Sequence, residues 1–331
     1  MVTINDIARQ AGVSRTTVSR VLNQNGYVSD RAKTKVLEVI EETGYVPSEQ
    51  AKSLRTKKTN VIGVILPRLS SETVSRVVDG MDRELAKAGY QILLSSTSLE
   101  TEKEADHIRL LESRRVDGIV LFGTHKDEAI LNAIKQAKVP VVVLGQDFTP
   151  HVSSVVYNDY EASRAAVAAL ADVGHEKIGF IGVDEADIAV GQERRRGYLD
   201  EMKSRGFAVL PEWMQTAGFD MASGSEAFQK MLEYSQTRPT AVFAVTDRLA
   251  IGAMQRAKDA GMSVPGEMAF ISIGASEASQ VVTPKLATVD YYNEDAGMSI
   301  ASLILEEIDE DMKDAKKIVM NYGLLLRDSL C

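Results

Sequence analysis

The sequence predicts a small all-helical head joined to a two-lobed α/β body of parallel sheets. Three observations predict it. The first 22 residues carry two short helical patterns separated by a turn. From Asn60 onward, short apolar runs alternate with amphipathic segments, and the alternation runs through two successive sets. The charge also divides near residue 58: residues 1–58 carry a net +4 and residues 59–331 a net −13.

The head comes first. Ile4, Ile7, Ala8 and Ala11 fall at i, i+3, i+4 and i+7, one apolar face of a helix. Gly12 stands where that helix must stop, in a position that tolerates positive φ. Ser14 can cap the next helix through a free backbone N–H. On that second helix Val18, Val21 and Leu22 repeat the apolar spacing, leaving Arg15, Thr16, Ser19 and Arg20 outward. Two helices with a tight turn form a helix-turn-helix, whose second helix can enter a DNA major groove and bond to base edges and phosphates. Asn23-Gln24-Asn25-Gly26-Tyr27 then reads as a loop. Ser29 is expected to cap a third helix from Asp30 to about Thr43, closed by Ala32, Val36, Val39 and Ile40 and ended by Gly44.

Pro47 prevents simple continuation of that helix. Ser48 opens a segment, Glu49 to Arg55, too short to be stable alone in water. Such a segment can fold on DNA within a dimer, with Leu54 wedged into a minor-groove step. A polar linker ends it. The domains expected are residues 1–46 as the DNA-binding head, 47–59 as hinge and linker, and 60–331 as the effector-binding and dimerisation body.

Within the body, strands are expected at Val61–Leu66, Gln91–Ser95, Gly118–Phe122, Val139–Leu144 and Ser153–Tyr157, with helices at Val74–Leu85, Glu102–Ser113 and Asp127–Gln136. A second set has strands at Ile178–Gly182, Ala241–Val245, Ala269–Ile273 and Ala287–Asp290. Its helices are Tyr160–Val173, Glu193–Ser204, Ser223–Tyr234 and Arg248–Ala260. Continuous apolar strands suit parallel sheets covered on both faces, and two such lobes enclose a ligand cleft. Lobe 1 is expected to hold about 60–157 and 291–320, lobe 2 about 158–290 and 321–331.

Composition narrows the function. Hydrophobic residues make up 44% of the chain, as in soluble globular proteins. No run spans a bilayer and no secretory pattern opens the chain, so a cytoplasmic location is expected. The one cysteine, Cys331, makes neither an intrachain disulfide nor a cysteine metal site. No G-x-G-x-x-G follows the first strand, and Walker and G-x-S-x-G loops are absent. The histidines His107, His125, His151 and His175 are scattered. Catalysis and cofactors are not expected.

The run Asp6 to Asn23, D-I-A-x-x-A-G-V-S-x-x-T-V-S-R-V-L-N, with Gly44-Tyr45-Val46-Pro47 and Ala51-Lys52-Ser53-Leu54, resembles the LacI/GalR family of bacterial transcription regulators. The resemblance covers essentially the whole chain. It implies that Arg15 and Thr16 read bases, that Ser19, Arg20 and Asn23 bind bases or phosphates, and that Leu54 is the minor-groove wedge. Thr3, Ser14, Tyr27, Ser29, Ser48 and Ala51 complete the candidate DNA contacts. It also implies a periplasmic-binding-protein-like body crossed by the chain near Asn158, Tyr291 and Asn321. Candidate effector contacts are Arg68, Ser70, Ser71, Thr73, Phe122, Gln146, Arg194, Asp247, Ser276 and Glu277. Arg68 follows the first strand, where a guanidinium can bind phosphate or carboxylate, or else pair with the acidic surface. Arg194 looks like the family's R-x-x-G effector contact and Asp247 like its sugar-binding acid, which is expected to cap its helix as well. Gly274-Ala275-Ser276-Glu277 stands where many members place an Asp, so that carboxylate is absent or moved to Glu277.

These features resemble the trehalose/sucrose branch and suggest a phosphorylated disaccharide as effector. The expected partners are a pseudo-palindromic double-stranded operator, a sugar or sugar phosphate, and a second copy of the chain. A global catabolite-type regulator served by a phosphocarrier protein is the alternative, and a sugar carrier or enzyme a distant one.

Overall fold

The computed structural model describes residues 2–23, 25–45, 58–100, 102–309 and 314–331. The chain forms two compact units, Met1–Thr59 and Asn60–Cys331. The expectations for Ser48, Ala51 and Leu54 lie outside the described residues.

In the first unit, α1 (Ile4–Ala11), α2 (Arg15–Asn23) and α3 (Asp30–Thr43) enclose a core of Ile7, Ala8, Ala11, Val18, Val21 and Val36. The apolar spacing of α1 and α2 drives this packing. Gly12 and Gly44 end α1 and α3 at φ +65° and +61°, left-handed positions that suit a residue without Cβ. Ser14 caps α2: its Oγ accepts from Thr17 N–H at 3.1 Å. Thr3 caps α1 in a reciprocal box with Asp6. Ser29 occupies the cap position of α3 but makes no side-chain cap bond, contrary to the sequence expectation.

The second unit holds two six-stranded sheets. The first contains β1 (Val61–Leu66), β2 (Gln91–Ser96), β3 (Gly118–Phe122), β4 (Val141–Leu144), β5 (Ser154–Tyr157) and β11 (Lys317–Met320), in the order β11-β5-β4-β3-β1-β2, with every pair parallel. The second contains β6 (Ile178–Gly182), β7 (Met214–Thr216), β8 (Ala241–Ala244), β9 (Ala269–Ile273), β10 (Ala287–Asp290) and β12 (Gly323–Leu325), in the order β12-β10-β9-β8-β6-β7. Here β12 alone runs antiparallel, against β10. We call the two halves lobe 1 and lobe 2. The chain passes between the sheets after β5, after β10 and after β11.

Helices cover both sheets: α4 (Glu72–Lys87), α5 (Lys103–Ser113), α6 (Glu128–Gln136) and α12 (Asn293–Asp309) on lobe 1, and α7 (Asp159–Asp172), α8 (Arg194–Ser204), α9 (Met221–Tyr234), α10 (Asp247–Asp259) and the short α11 (Glu277–Val281) on lobe 2. The apolar strands are buried on both faces, as crossover topology requires. β4 starts at Val141, two residues later than expected. Pro140 lacks the N–H that a ladder needs. α11 and α12 lie beyond the last helix assigned from sequence. So do β11 and β12, and β7 is the three-residue run Met-Gln-Thr, too short and polar to read as a strand.

Close packing and one anchored strand set the frame of lobe 1. α4 and α12 approach through glycine: a Cβ on Gly80 would fall 2.1 Å from Glu294 O, and one on Gly297 would fall 2.0 Å from Val77 O. At the start of β1, Asn60 N–H donates to Asp117 Oδ2 at 2.8 Å and Asn60 O accepts from Gln91 N–H at 2.8 Å.

Candidate functional site

Two surfaces carry the candidate residues, one in each unit. In the head, Arg15 and Thr16 are the first two residues of α2 and both are exposed. Arg20, one turn on, is exposed and lies along Gly26. N-terminal residues of a second helix are those that reach base edges in helix-turn-helix complexes. Ser14 and Thr3 are committed to helix caps. Ser29 is exposed, and Tyr27 stands 89% exposed beside the loop.

In the body, a cavity of about 730 Å³ lies between the lobes at the carboxyl ends of the parallel strands. Arg68, Ser70, Ser71, Thr73, Phe122, Gln146, Arg194, Asp247 and Ser276 line it. Glu277 does not: it is exposed outside the lining, and its backbone N–H donates to Glu72. The carboxylate missing at Gly274 is therefore not resupplied from there.

Arg68, from lobe 1, lies over the Phe219 ring of lobe 2 at 5.1 Å. Its pKa falls below the usual arginine value through burial first and then the nearby Arg248 cation, with Asp220 opposing. Arg248, from lobe 2, donates to Ser70 O of lobe 1 at 3.3 Å. Among the described residues neither guanidinium has a carboxylate within ion-pair distance, so the expected alternative of a surface salt bridge for Arg68 does not hold. The rim presents two cations, one from each lobe, beside an aromatic face. Ser71 caps α4 through Val74 N–H, so its hydroxyl is already engaged.

Arg194 is buried and spoken for. Its Nε donates to Asp159 Oδ1 at 2.6 Å, its Nη1 donates to Val245 O, and its guanidinium lies 5.3 Å from the Tyr291 ring centre. Tyr291 Oη donates to the same Asp159 oxygen at 2.8 Å and stacks on Tyr157 at 4.7 Å. Both tyrosines sit where the chain changes lobes. Arg194 thus braces the hinge region as well as lining the cleft.

Asp247 is saturated from within. Its Oδ1 accepts from Ser272 Oγ and Thr288 Oγ1, each at 2.6 Å, and its Oδ2 accepts from Ser276 N–H at 2.6 Å. The α10 cap is Thr246, not Asp247, as Leu249 N–H donates to the threonine hydroxyl. A carboxylate with three short internal donors orients its own loop first, and a ligand meets it only by sharing those oxygens.

Other lining residues escaped the sequence reading. Phe219 follows the unrecognised β7. Arg248 sits inside a helix and Arg76 on the outward pattern of α4. Asn293 opens the unassigned α12; it is fully buried, its Oδ1 accepts from Tyr157 Oη at 2.9 Å, and its Nδ2 has no partner. Behind the Thr124 and His125 wall, buried Glu104 accepts from Thr124 Oγ1 at 3.1 Å, while its Oε2 has no partner. Burial pushes its carboxyl up to about 7, hydrogen bonds from Thr124 restrain the rise, and Asp127 adds to it. His125 stands 3.7 Å from it and 3.2 Å from Asp127.

Two family models match the chain. One, for bacterial regulatory proteins of the lacI family, covers residues 3–48. The other, for periplasmic binding proteins and the sugar binding domain of the LacI family, covers residues 59–323. The HTH-type transcriptional repressor PurR of Vibrio vulnificus is 31% identical over 100% of this chain and 99% of its own length. Catabolite control protein A of Priestia megaterium is 31% identical over 99% of each. A solved transcriptional regulator CelR–cellobiose complex is 26% identical, covers 99% of this chain and 100% of that one, and superposes with a TM-score of 0.75. These relatives give the expected resemblance to the trehalose/sucrose branch no support.

Proposed function

The chain belongs to the LacI family of bacterial regulatory proteins, and on that premise we propose that it is a homodimeric repressor whose hold on an operator is set by a phosphorylated sugar in the interlobe cleft. DNA binding by the head and modulation by an effector follow from the family. The sugar phosphate is our reading of the cleft. It rests on one observation: Arg68 and Arg248 reach the same rim from opposite lobes, and among the described residues neither has a carboxylate within ion-pair distance, Asp220 being close enough only to act through its charge.

The half-buried Arg68 guanidinium is repelled by nearby Arg248, and a phosphate between the two relieves that repulsion through charge-assisted bonds. Phe219 offers an apolar face for a sugar ring, and Thr73 and Ser276 line the same cavity. About 730 Å³ has room for two rings, and the CelR relative is described with a disaccharide. A ligand bound from both lobes favours one closure angle. The shift in operator affinity then equals its differential affinity for the two arrangements, commonly about 1–3 kcal/mol. No enzymatic step is part of this reading.

Operator release, titrated with neutral disaccharides and their phosphates, tests it. Phosphorylated sugars are expected to act at lower concentration, and Arg68→Ala or Arg248→Ala to remove that preference while leaving ligand-free operator binding intact. Equal potency of neutral and phosphorylated sugars, unaffected by either substitution, refutes the anion. A response that needs a phosphocarrier protein selects the catabolite-type alternative.

A further inference from the structure

Beyond ligand recognition, contacts made by the chain alone tie the lobes together along one side of the cleft. Arg76 and Glu72 stand four residues apart at the start of α4, and that spacing puts both on one helical face. Both face the lobe 2 loop 274–277. Arg76 Nη1 donates to Ala275 O at 3.0 Å and to Gly274 O at 3.4 Å, and Arg76 Nη2 lies 3.6 Å from Asp290 Oδ1 at the end of β10. Glu72 Oε1 accepts from Glu277 N–H at 2.5 Å.

The loop is bent to meet them. Ala275 has φ +50° and Gly274 φ +151°, the first a left-handed position uncommon for a residue with a Cβ. Lobe 2 holds the loop in that shape. Asp247 Oδ2 accepts from Ser276 N–H, and Ala275 N–H donates to Thr288 Oγ1 at 3.2 Å. Thr288 Oγ1 in turn donates to Asp247 Oδ1. The same loop is therefore fastened to lobe 2 through Asp247 and to lobe 1 through Arg76 and Glu72. On its lobe 1 side, the α4 helix that carries the pair is packed rigidly against α12 at Gly80 and Gly297.

We infer that Arg76 and Glu72 form a clasp that holds the lobes closed along this rim without ligand, and that Asp247 is the positioning residue that presents the loop to it. Arg76 lines the cleft, and its guanidinium is engaged by the lobe 2 loop, so it acts on the switch as a positioning residue. Ligand entry from this side then requires the clasp to part, and the clasp is made by the chain's own groups, whatever fills the cleft.

Interlobe distances in the ligand-free full chain test it. In a Cys331→Ser background, Gln136→Cys on lobe 1 and Lys230→Cys on lobe 2, both exposed, take spin labels for pulsed dipolar spectroscopy. Arg76→Ala and Glu72→Ala are each expected to move the distance distribution away from that of the parent and broaden it. Arg76→Lys gives an intermediate distribution, since one ammonium replaces a guanidinium fork. Glu72→Gln, which keeps the accepting oxygen, matches the parent. Arg83→Ala breaks an ion pair of the same helix with Glu294, inside lobe 1, and leaves the distribution unchanged. Parent-like distributions for both Arg76→Ala and Glu72→Ala overturn the clasp. So does an equal shift in Arg83→Ala, which would make the effect a general loosening of α4. Should Arg76→Ala fold poorly, the Glu72→Ala and Glu72→Gln pair decides alone.

Discussion

Replacing Glu104 with Gln makes the body more stable at alkaline pH and changes little in acid. The carboxyl lies buried behind Thr124 and His125 with one oxygen unpartnered, so its ionised form is poorly solvated in the folded chain. Its pKa rises from the usual 4.5 to about 7. A raised acid pKa means that the folded state holds the proton longer than the unfolded state. The favourable contribution is complete below about pH 4.5 and is lost as pH climbs toward 7. At about 1.4 kcal/mol per tenfold in the proton equilibrium, the loss above pH 7 is of order 3 kcal/mol. Glu104→Gln keeps the shape and the bond with Thr124 but cannot ionise. Urea unfolding of the full chain, followed by circular dichroism, checks it: the variant gains about 2–3 kcal/mol over the parent at pH 8 and under about 1 kcal/mol at pH 5. Equal differences at the two pH values would refute the assignment of the effect to Glu104 ionisation.

Three other outcomes are expected from the same geometry. Asp247→Ala strands two buried hydroxyls and the Ser276 N–H and costs about 2–4 kcal/mol in urea unfolding, of which Asp247→Asn restores a substantial part. Gly297→Ala drives a methyl into Val77 O, at an ideal 2.0 Å, and lowers stability by about 3 kcal/mol or more, seen as an early thermal transition. Tyr157→Phe with Asn293→Leu removes a buried hydroxyl–amide pair that always leaves one amide atom unmet; the double variant is neutral or up to about 1 kcal/mol more stable, whereas Asn293→Leu alone is worse than the pair.

The head could be read closely from its sequence because its signals are local. Gly12, Ser14 and the i, i+3, i+4 spacing each act within one turn of chain, and the structure places them accordingly. Ser29 failed as a cap because composition shows which residue can accept a bond, not whether its rotamer does. The body strands were legible as continuous apolar runs. β7, β11 and β12 were not, since they are three or four residues long and only partly buried, so no continuous apolar run marks them. The cleft divides the same way. Arg68 and Asp247 could be placed at strand ends, and both do line the cavity. That Asp247 is consumed by Ser272, Ser276 and Thr288, or that Arg194 is consumed by Asp159, is set by contacts between distant segments, and no local pattern encodes it. Arg76 reads as an ordinary surface arginine until the 274–277 loop arrives from nearly 200 residues away.

The anchorage of Asn60 limits how a signal can leave the body. β1 runs six residues from that anchor to the rim where Arg68 follows, roughly 20 Å at strand rise. Both ends are fixed: Asn60 by Asp117 and the start of β2, Leu66 by full burial between β2 and β3. A strand so held does not stretch or fray, so it works as a strut. A shift of the rim is therefore carried along β1 to Asn60, where the chain leaves the body, as a change of position. On the proposed reading, ligand binding is then reported by movement of that exit point, which a single copy cannot measure. In the proposed homodimer, the second body's exit point is the ruler against which it is measured.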